Sequence, residues 1–193
     1  MKSNMDPLPL FLEWYNEELA LSKVRIPSAV CLSTVGAENF PNARFVSFKE
    51  VIDESFIITG PLNSRKGIEI NSNKKVALTF WWTATERQIR IQGLASRISE
   101  QLADIYFKER NPISKAVSLV CEQGKESDDL ELLKMRVLDK VAKNSEIVRP
   151  RHWGGISIYP VRIEFMEFKT TRFHRRTLFE REKDDWNVKL LQP

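Results

Sequence analysis

The stretch Ser55 to Asn71, SFIITGPLNSRKGIEIN, changes from a strand pattern that ends at Thr59 to a helical pattern over Ile68 to Asn71. The NSRKG segment between the two patterns opens the helix, so Arg65 and Lys66 are expected in its first turn. Cations there oppose the helix dipole, so this placement predicts an anion, most simply a phosphate, at the helix N-terminus. The alternative interpretation is that both are solvated surface charges.

On either side of this stretch, short strand patterns recur at hairpin spacing. They cover residues 29–35, 42–51, 75–82, 87–98, 153–159, 162–168, 171–179 and 186–191. Helical patterns cover residues 7–21, 99–110 and 128–143, whereas 111–126 has the weakest pattern and is expected to be a loop. This arrangement predicts a mainly β (α+β) fold, an antiparallel barrel with peripheral helices, in a single domain over residues 1–193.

The composition indicates an ordinary globular protein, with 42% hydrophobic and 29% charged residues and a net charge of +4. The sequence contains no apolar run of about 18 residues, so no membrane span is expected. The first six residues lack the apolar core of a signal peptide, and two cysteines, Cys31 and Cys121, fit a reducing compartment. A cytoplasmic location is therefore expected.

The sequence lacks the common catalytic signatures. His152 and His174 are far apart and belong to no metal-ligand array, so no metal site is expected. Walker, Rossmann and nucleophile-elbow motifs are also missing. The basic residues alternate with Asp and Glu instead of forming one stripe, which argues against a nucleic-acid partner.

Two further groups of cations lie on predicted strands. Arg44 and Lys49 share one strand and would face opposite sides unless a bulge intervenes. Arg172, His174 and Arg176 would share one face of the strand predicted over 171–179, where an anionic or electron-rich ligand would offset their mutual repulsion. The alternative is a basic edge strand that discourages aggregation.

A fourth group could also hold a phosphate. Tyr106 and Arg110 are four residues apart on a predicted helix, and Ser114 follows just beyond its end. Two hydroxyls and a guanidinium could converge on one anion there. The alternative is that Tyr106 simply packs under the Arg110 stem.

Several of these segments resemble, in order, the motifs of the pyridoxamine 5′-phosphate oxidase family. They are ARFVSFK at 43–49, NSRKG at 63–67, ERQ at 86–88 with a glycine at 93, WGG at 153–155, IEF at 163–165 and RFHRR at 172–176. The resemblance implies an FMN-dependent split-barrel homodimer. It also implies oxidation of pyridoxine or pyridoxamine 5′-phosphate to pyridoxal 5′-phosphate, with molecular oxygen as acceptor and hydrogen peroxide as product.

The resemblance also implies residue roles. FMN would be bound by Arg44, Phe45, Val46, Ser47, Phe48, Lys49, Ile58, Thr59, Arg65, Lys66, Gln88, Gln123, Gly124, Met166 and Arg176. The substrate would be bound by Lys49, Tyr106, Arg110, Ser114, Arg172 and His174. Arg172 would stabilise charge near the reacting carbon, and His174 would orient the substrate or assist proton movement.

The sequence departs from the family pattern at a few positions. Gly124 stands where the family usually has Ser, Met166 where it has Trp, and Ile58 where it has an aromatic residue. Two alternatives therefore stay open: an oxidase of the same family acting on another substrate, such as a dihydrophenazine, and a non-catalytic flavin- or pyridoxal-phosphate-binding protein. In a homodimer, Phe80, Trp81 and Trp82 are candidates for the interface or for the core.

Overall fold

The computed structural model describes residues 6–143 and 146–193, which form eight strands and five helices. The strands are β1 (Ala29–Val35), β2 (Pro41–Ile52), β3 (Ser55–Pro61), β4 (Lys75–Trp82), β5 (Arg87–Arg97), β6 (Trp153–Glu167), β7 (Arg175–Glu182) and β8 (Asp185–Leu191). The helices are α1 (Pro7–Leu21), α2 (Arg65–Ser72), α3 (Glu100–Lys108), α4 (Pro112–Val120) and α5 (Leu130–Ala142).

The strands form one antiparallel sheet in the order β3-β2-β1-β4-β5-β6-β7-β8. Because β3 also pairs with β6, from Phe56 opposite Ile158 to Pro61 opposite Trp153, the first six strands of this order close into a barrel. β7 pairs with the second half of β6 and carries β8 outside the barrel. The predicted antiparallel split barrel with peripheral helices is confirmed.

β6 is one long strand, whereas the sequence pattern predicted two strands separated near Pro160. The register of β5 against β6 shifts there, since Gln92 faces Arg162 while Gly93 faces Pro160. A bulge accommodates one extra residue and tolerates a proline, which has no N–H to donate. The break in the pattern therefore marks a bend in a continuous strand.

Helix α4 occupies most of the segment that the sequence pattern predicted as a loop, and this prediction is wrong. Asn111 caps the helix, its Oδ1 accepting a hydrogen bond of 2.8 Å from the Ser114 N–H, and Pro112 takes the first helical position. Both choices are favourable at a helix N-terminus. The helix has only nine residues, too few for a strong periodic signal.

The segment between β6 and β7 is a turn that contains Arg172 and His174, so the predicted strand over 171–179 begins too early. Arg172 has φ 66°, and its N–H donates to the Lys169 carbonyl at 2.9 Å. His174 Nδ1 accepts from the Lys169 N–H at 3.0 Å. Because β7 starts at Arg175, the alternation of a strand cannot place Arg172, His174 and Arg176 on one face.

Aromatic side chains fill the barrel, and α1 covers it. Phe11 of α1 is fully buried, and its ring lies 4.8 Å from that of Phe56 and 5.2 Å from that of Phe80. Burying each such side chain contributes about 2–3 kcal/mol. Phe80 and Trp82 therefore belong to the core, whereas Trp81 is 53% exposed on the opposite face of β4. Of the helices in the described residues, none has both the length and the apolar character to cross a membrane.

Candidate functional site

The structure contains a cavity of about 850 Å³. On one side it is lined by β2, the end of β3 and the N-terminus of α2. On the other side it is lined by the connection between α3 and α4, the first turn of α4 and the loop after α4. Among the described residues, five cationic side chains line it: Arg44, Lys49, Arg65, Lys66 and Arg110. The carboxylate in the same lining is that of Glu109. The cavity is therefore suited to anionic ligands.

The N-terminus of α2 opens on this cavity. Ser64 is the N-cap residue, but its side chain makes no capping hydrogen bond; its Oγ donates instead to the Pro61 carbonyl at 2.7 Å. The N–H groups of the first turn thus lack the side-chain acceptor that usually satisfies them. A Cβ on Gly67 would lie 2.1 Å from the Leu62 carbonyl oxygen, so glycine lets the turn fold back this closely.

The Lys66 side chain lines the cavity and connects two other lining residues, Ser64 and Gln123. Its Nζ donates to Ser64 Oγ at 2.8 Å and to Gln123 Oε1 at 2.6 Å, both neutral acceptors. Burial and the neighbouring positive charge of Arg44 lower the pKa of Lys66 to about 8. An anion in the cavity would raise that pKa again, because it favours the charged form.

A buried carboxylate underlies the two arginines of this wall. Glu69 of α2 is 6% exposed and forms ion pairs of 3.0 Å with Arg44 Nη2 and with Arg65 Nε. Its oxygens also accept hydrogen bonds from the Thr34 hydroxyl and, at 2.7 Å, from the Asn42 amide. Burial would raise the pKa of Glu69, but hydrogen bonds from Thr34, Arg65 and Arg44 outweigh it and leave the pKa below its ordinary value.

Lys49 and Arg110 form a second cationic group in the same cavity. Lys49 lies in a β2 bulge, where the register against β3 shifts between Phe48 and Val51. Burial and the charge of Arg110 lower its pKa, while Glu109 partly opposes that effect. Arg110 stacks 4.8 Å from the centre of the Trp153 ring, and its Nη1 donates to Ser118 Oγ at 2.7 Å.

Ser114 lines the cavity beside Arg110, as the sequence predicted, but Tyr106 does not. The Tyr106 side chain is 4% exposed, and its hydroxyl donates to Glu50 Oε1 at 2.7 Å. Burial and this hydrogen bond raise the pKa of Tyr106, which stays neutral. Tyr106 therefore holds Glu50, the neighbour of Lys49 on β2, by a hydrogen bond. Of the predicted group of Tyr106, Arg110 and Ser114, the last two line the cavity.

Gln88, Met166 and Arg176 form a row across β5, β6 and β7, since Met166 faces Gln88 on one side and Arg176 on the other. Arg176 donates from Nε and Nη2 to Oε1 of the buried Glu164, at 2.9 and 2.6 Å. Trp153, which lines the cavity, begins β6, whereas Met166 is next to its last residue, and the bulge near Pro160 lies between them. This row therefore lies apart from the cavity within one chain.

Several sequence-predicted residues thus meet at the cavity and others do not. The predicted residues that line it are Arg44, Phe45, Val46, Ser47, Lys49, Thr59, Arg65, Lys66, Arg110, Ser114, Gln123 and Gly124. Those outside its lining are Phe48, Ile58, Gln88, Tyr106, Met166, Arg172, His174 and Arg176. Phe48 and Ile58 have core side chains, each 2% exposed.

The sequence pattern missed Glu69 and its partners Thr34 and Asn42. The spacing of Arg65 and Glu69, four residues apart on a helix, was the available signal for one ion pair. The contacts from β1 and β2 could not be found in this way, because they join residues that are far apart in sequence.

Most of the chain is similar to known proteins. Residues 18–140 match the family model described as pyridoxamine 5′-phosphate oxidase, and residues 153–193 match that of the pyridoxine 5′-phosphate oxidase C-terminal dimerisation region. A pyridoxine/pyridoxamine 5′-phosphate oxidase of Nostoc punctiforme is 35% identical over all of this chain and 91% of its own length. One from Leptospira interrogans is 36% identical over 92% of this chain and 83% of its own.

Two solved structures are also similar. PhzG from Burkholderia lata, in complex with tetrahydrophenazine-1-carboxylic acid, has a TM-score of 0.92 and 28% identity, covering 97% of this chain and 93% of its own. A pyridoxamine 5′-phosphate oxidase-related, FMN-binding protein of Nostoc punctiforme has a TM-score of 0.80 over the full length of both chains. At 14% identity, this second likeness concerns the fold alone.

Proposed function

Since the chain belongs to the pyridoxamine 5′-phosphate oxidase family, whose members are FMN-binding oxidases, we propose that it makes pyridoxal 5′-phosphate. Its substrates would be pyridoxine and pyridoxamine 5′-phosphate, with oxygen as acceptor and hydrogen peroxide as product. With the amine substrate, water would hydrolyse the resulting imine and ammonia would leave. The observation that carries this proposal is the cavity, where two separate cationic groups face one space. Two phosphates, one of the cofactor and one of the substrate, would match them.

The α2 wall of the cavity, formed by Ser64, Arg65 and Lys66 at the N-terminus of α2, fits the phosphate of FMN. The first turn of α2 has no side-chain cap, and Lys66 has neutral partners at this wall. Arg65 exposes 74% of its side chain beside them. Backbone N–H groups, a helix dipole and two cations together are a favourable phosphate site.

The second group fits the substrate phosphate. Lys49, Arg110 and Ser114 line the cavity from β2, the end of α3 and the first turn of α4. Stacking on Trp153 and the hydrogen bond to Ser118 hold the Arg110 guanidinium in place. Phosphate contacts far from the reacting carbon would then fix the position of the substrate ring.

When bound, FMN would supply the redox chemistry, accepting a hydride equivalent from the substrate and passing electrons to oxygen. The residues of the chain would bind FMN and the substrate, orient them and adjust the charge around them. Arg172 would stabilise charge on the substrate near the reacting carbon, and His174 would orient the substrate or assist proton movement. Both lie in the turn between β6 and β7, outside the cavity lining of one chain.

A homodimer would bring the two parts together. The match of residues 153–193 to a dimerisation region supports this arrangement. The row of Gln88, Met166 and Arg176 of one subunit would complete the flavin site formed by the α2 wall of its partner. Exposed apolar side chains such as Phe45, 75% exposed at the cavity, and Trp81, 53% exposed, would be covered in the process.

A second candidate is the oxidation of a reduced tricycle of the phenazine type, favoured by the similarity to PhzG at a TM-score of 0.92. The ligand of that structure is a carboxylic acid without a phosphate. The Lys49, Arg110 and Ser114 group would be unnecessarily cationic for such a substrate. We therefore place the phosphorylated B6 vitamers first.

The visible spectrum of the purified protein, reconstituted with FMN, tests the proposal. Pyridoxine 5′-phosphate added without oxygen should bleach the flavin band, and air should restore it with formation of pyridoxal 5′-phosphate and hydrogen peroxide. Unphosphorylated pyridoxine at the same concentration is the control and should bleach it far less. A flavin that responds to a dihydrophenazine carboxylate but not to the B6 phosphates would support the second candidate.

A further inference from the structure

Glu69 is unusual because it is a buried acid at the wall of a cavity that attracts anions. It does not line the cavity itself, but it lies directly beneath Arg44 and Arg65, which do. Donors from three elements converge on its two oxygens: Thr34 of β1, Asn42 and Arg44 of β2, and Arg65 of its own helix. A carboxylate held by this many donors is fixed in orientation, and so are the groups that it holds.

The two arginines differ in which of their nitrogens remain available to bind a ligand. Glu69 accepts a hydrogen bond from Nε of Arg65, and within the described residues no hydrogen bond or ion pair involves the two terminal nitrogens of Arg65. Arg44 differs, because Nη2 contacts Glu69 and Nη1 donates to Thr34. Arg65 lines the cavity and its side chain is 74% exposed, so its two terminal nitrogens are available for a bidentate phosphate contact.

Two effects of opposite sign act on a bound phosphate. The negative charge of Glu69 repels it, whereas the anchored guanidinium binds it without losing much side-chain freedom on association. Because two arginines already neutralise Glu69 at 3.0 Å, the net charge of this triad is positive and its repulsion of the ligand is small. Orientation should therefore be the larger effect.

We infer that Glu69 is a positioning residue, which anchors Arg65 through Nε so that its terminal nitrogens meet the phosphate of the flavin cofactor. The inference rests on the FMN site of the proposed function and adds a residue to it. It requires only that FMN binds, so it can be tested whether or not B6 vitamers are the substrates.

Flavin fluorescence titration of the apoprotein with FMN and with riboflavin, which lacks the phosphate, provides the test. In Glu69→Gln, FMN binding should weaken by about tenfold or more, as expected for the loss of a charged hydrogen bond, while riboflavin binding changes less than about twofold. Equal weakening for both flavins would mean a general structural role and would overturn the inference. Unchanged or tighter FMN binding would mean that the repulsion between Glu69 and the phosphate matters at least as much as the orientation of Arg65. That result would also overturn the inference.

The matched control is Glu18→Gln, the same change at another buried glutamate, 2% exposed, which accepts hydrogen bonds from the N–H groups of Ala84 and Thr85 outside the cavity. It should leave the preference for FMN over riboflavin intact. If Glu69→Gln does not fold, Arg65→Lys provides the test, because lysine keeps the charge but cannot hold Glu69 and a phosphate on two edges. An Arg65→Lys protein as selective as the wild type would overturn the inference.

A wild-type protein that bound FMN no better than riboflavin would overturn this inference together with the FMN site. A wild type selective for FMN, with selectivity retained in Glu69→Gln, would overturn the inference alone. Selectivity that is lost in Glu69→Gln but not in Glu18→Gln is the expected result.

Discussion

At the scale of single residues, Lys66 should make binding of the proposed cofactor, FMN, depend on pH. Burial and Arg44 lower its pKa to about 8, so the free protein loses this charge as the pH rises through that value. Above pH 8 the protein must take up a proton to bind the phosphate. The dissociation constant for FMN should therefore be nearly constant below pH 8 and should rise above it, by up to about tenfold per pH unit.

Fluorescence titrations with FMN between about pH 6.5 and 9.5 measure this dependence. The control is Lys66→Arg, which keeps its charge throughout this range, so the rise should disappear. The same rise in both proteins would show that another group is responsible.

Arg172 and Arg65 should affect different steps. Arg172→Ala should lower turnover by roughly 100-fold or more while FMN content stays near that of the wild type, because the arginine is proposed to stabilise charge on the substrate. Arg65→Ala should instead weaken FMN binding and recover most of its turnover at saturating FMN. The measurements are bound flavin per chain and turnover under saturation. Loss of flavin in step with activity in Arg172→Ala would contradict the role given to that residue.

At the scale of elements, the position of α2 depends on one glycine. A Cβ at Gly67 would meet the Leu62 backbone, with its carbonyl oxygen at 2.1 Å, so Gly67→Ala should push the helix away from the end of β3. We expect a cost of about 1–3 kcal/mol in the free energy of unfolding, together with weaker FMN binding. Urea denaturation of the apoprotein and FMN titration measure the two effects.

The control for Gly67→Ala is Ser72→Ala in the exposed last turn of the same helix. It should change both quantities little, because alanine favours the helix and the serine makes one weak contact to the Ile68 carbonyl at 3.3 Å. If Gly67→Ala unfolded at the same urea concentration as the wild type, the close approach of α2 to β3 would not matter for stability.

At the scale of the whole molecule, the proposed site is shared between two subunits. Arg65→Ala and Arg176→Ala should each be deficient alone, since each removes one half of every flavin site. Random pairing of the two variants makes half of the dimers mixed, and each mixed dimer has one intact site, so about a quarter of the sites should recover. Turnover after co-refolding an equal mixture measures this recovery, at an FMN concentration low enough to leave Arg65→Ala alone largely without flavin.

The control for this experiment mixes Arg65→Ala with Lys66→Ala, two changes on the same wall. No mixed dimer of these variants has an intact site, so activity should not recover. If mixed dimers form but turnover does not recover in the mixture of Arg65→Ala and Arg176→Ala, both residues act within one chain.

Features set by neighbours along the chain could be predicted from the sequence alone. Alternating strand patterns located β1 to β5, and the NSRKG segment placed Arg65 and Lys66 in the first turn of α2, where they line the cavity. The same local reasoning was wrong where a signal was ambiguous or short. The Pro160 break is a bulge, and Asn111–Pro112 starts a helix of nine residues.

Tertiary structure decided what depends on residues distant in sequence. Pairing of β3 with β6 closes the barrel, Glu69 collects donors from β1 and β2, and Tyr106 turns from the cavity to Glu50. The physical reason is that such contacts depend on strand register and on burial, which no local pattern encodes. The residues predicted to share one flavin site are therefore divided, within one chain, between the cavity and the row of Gln88, Met166 and Arg176.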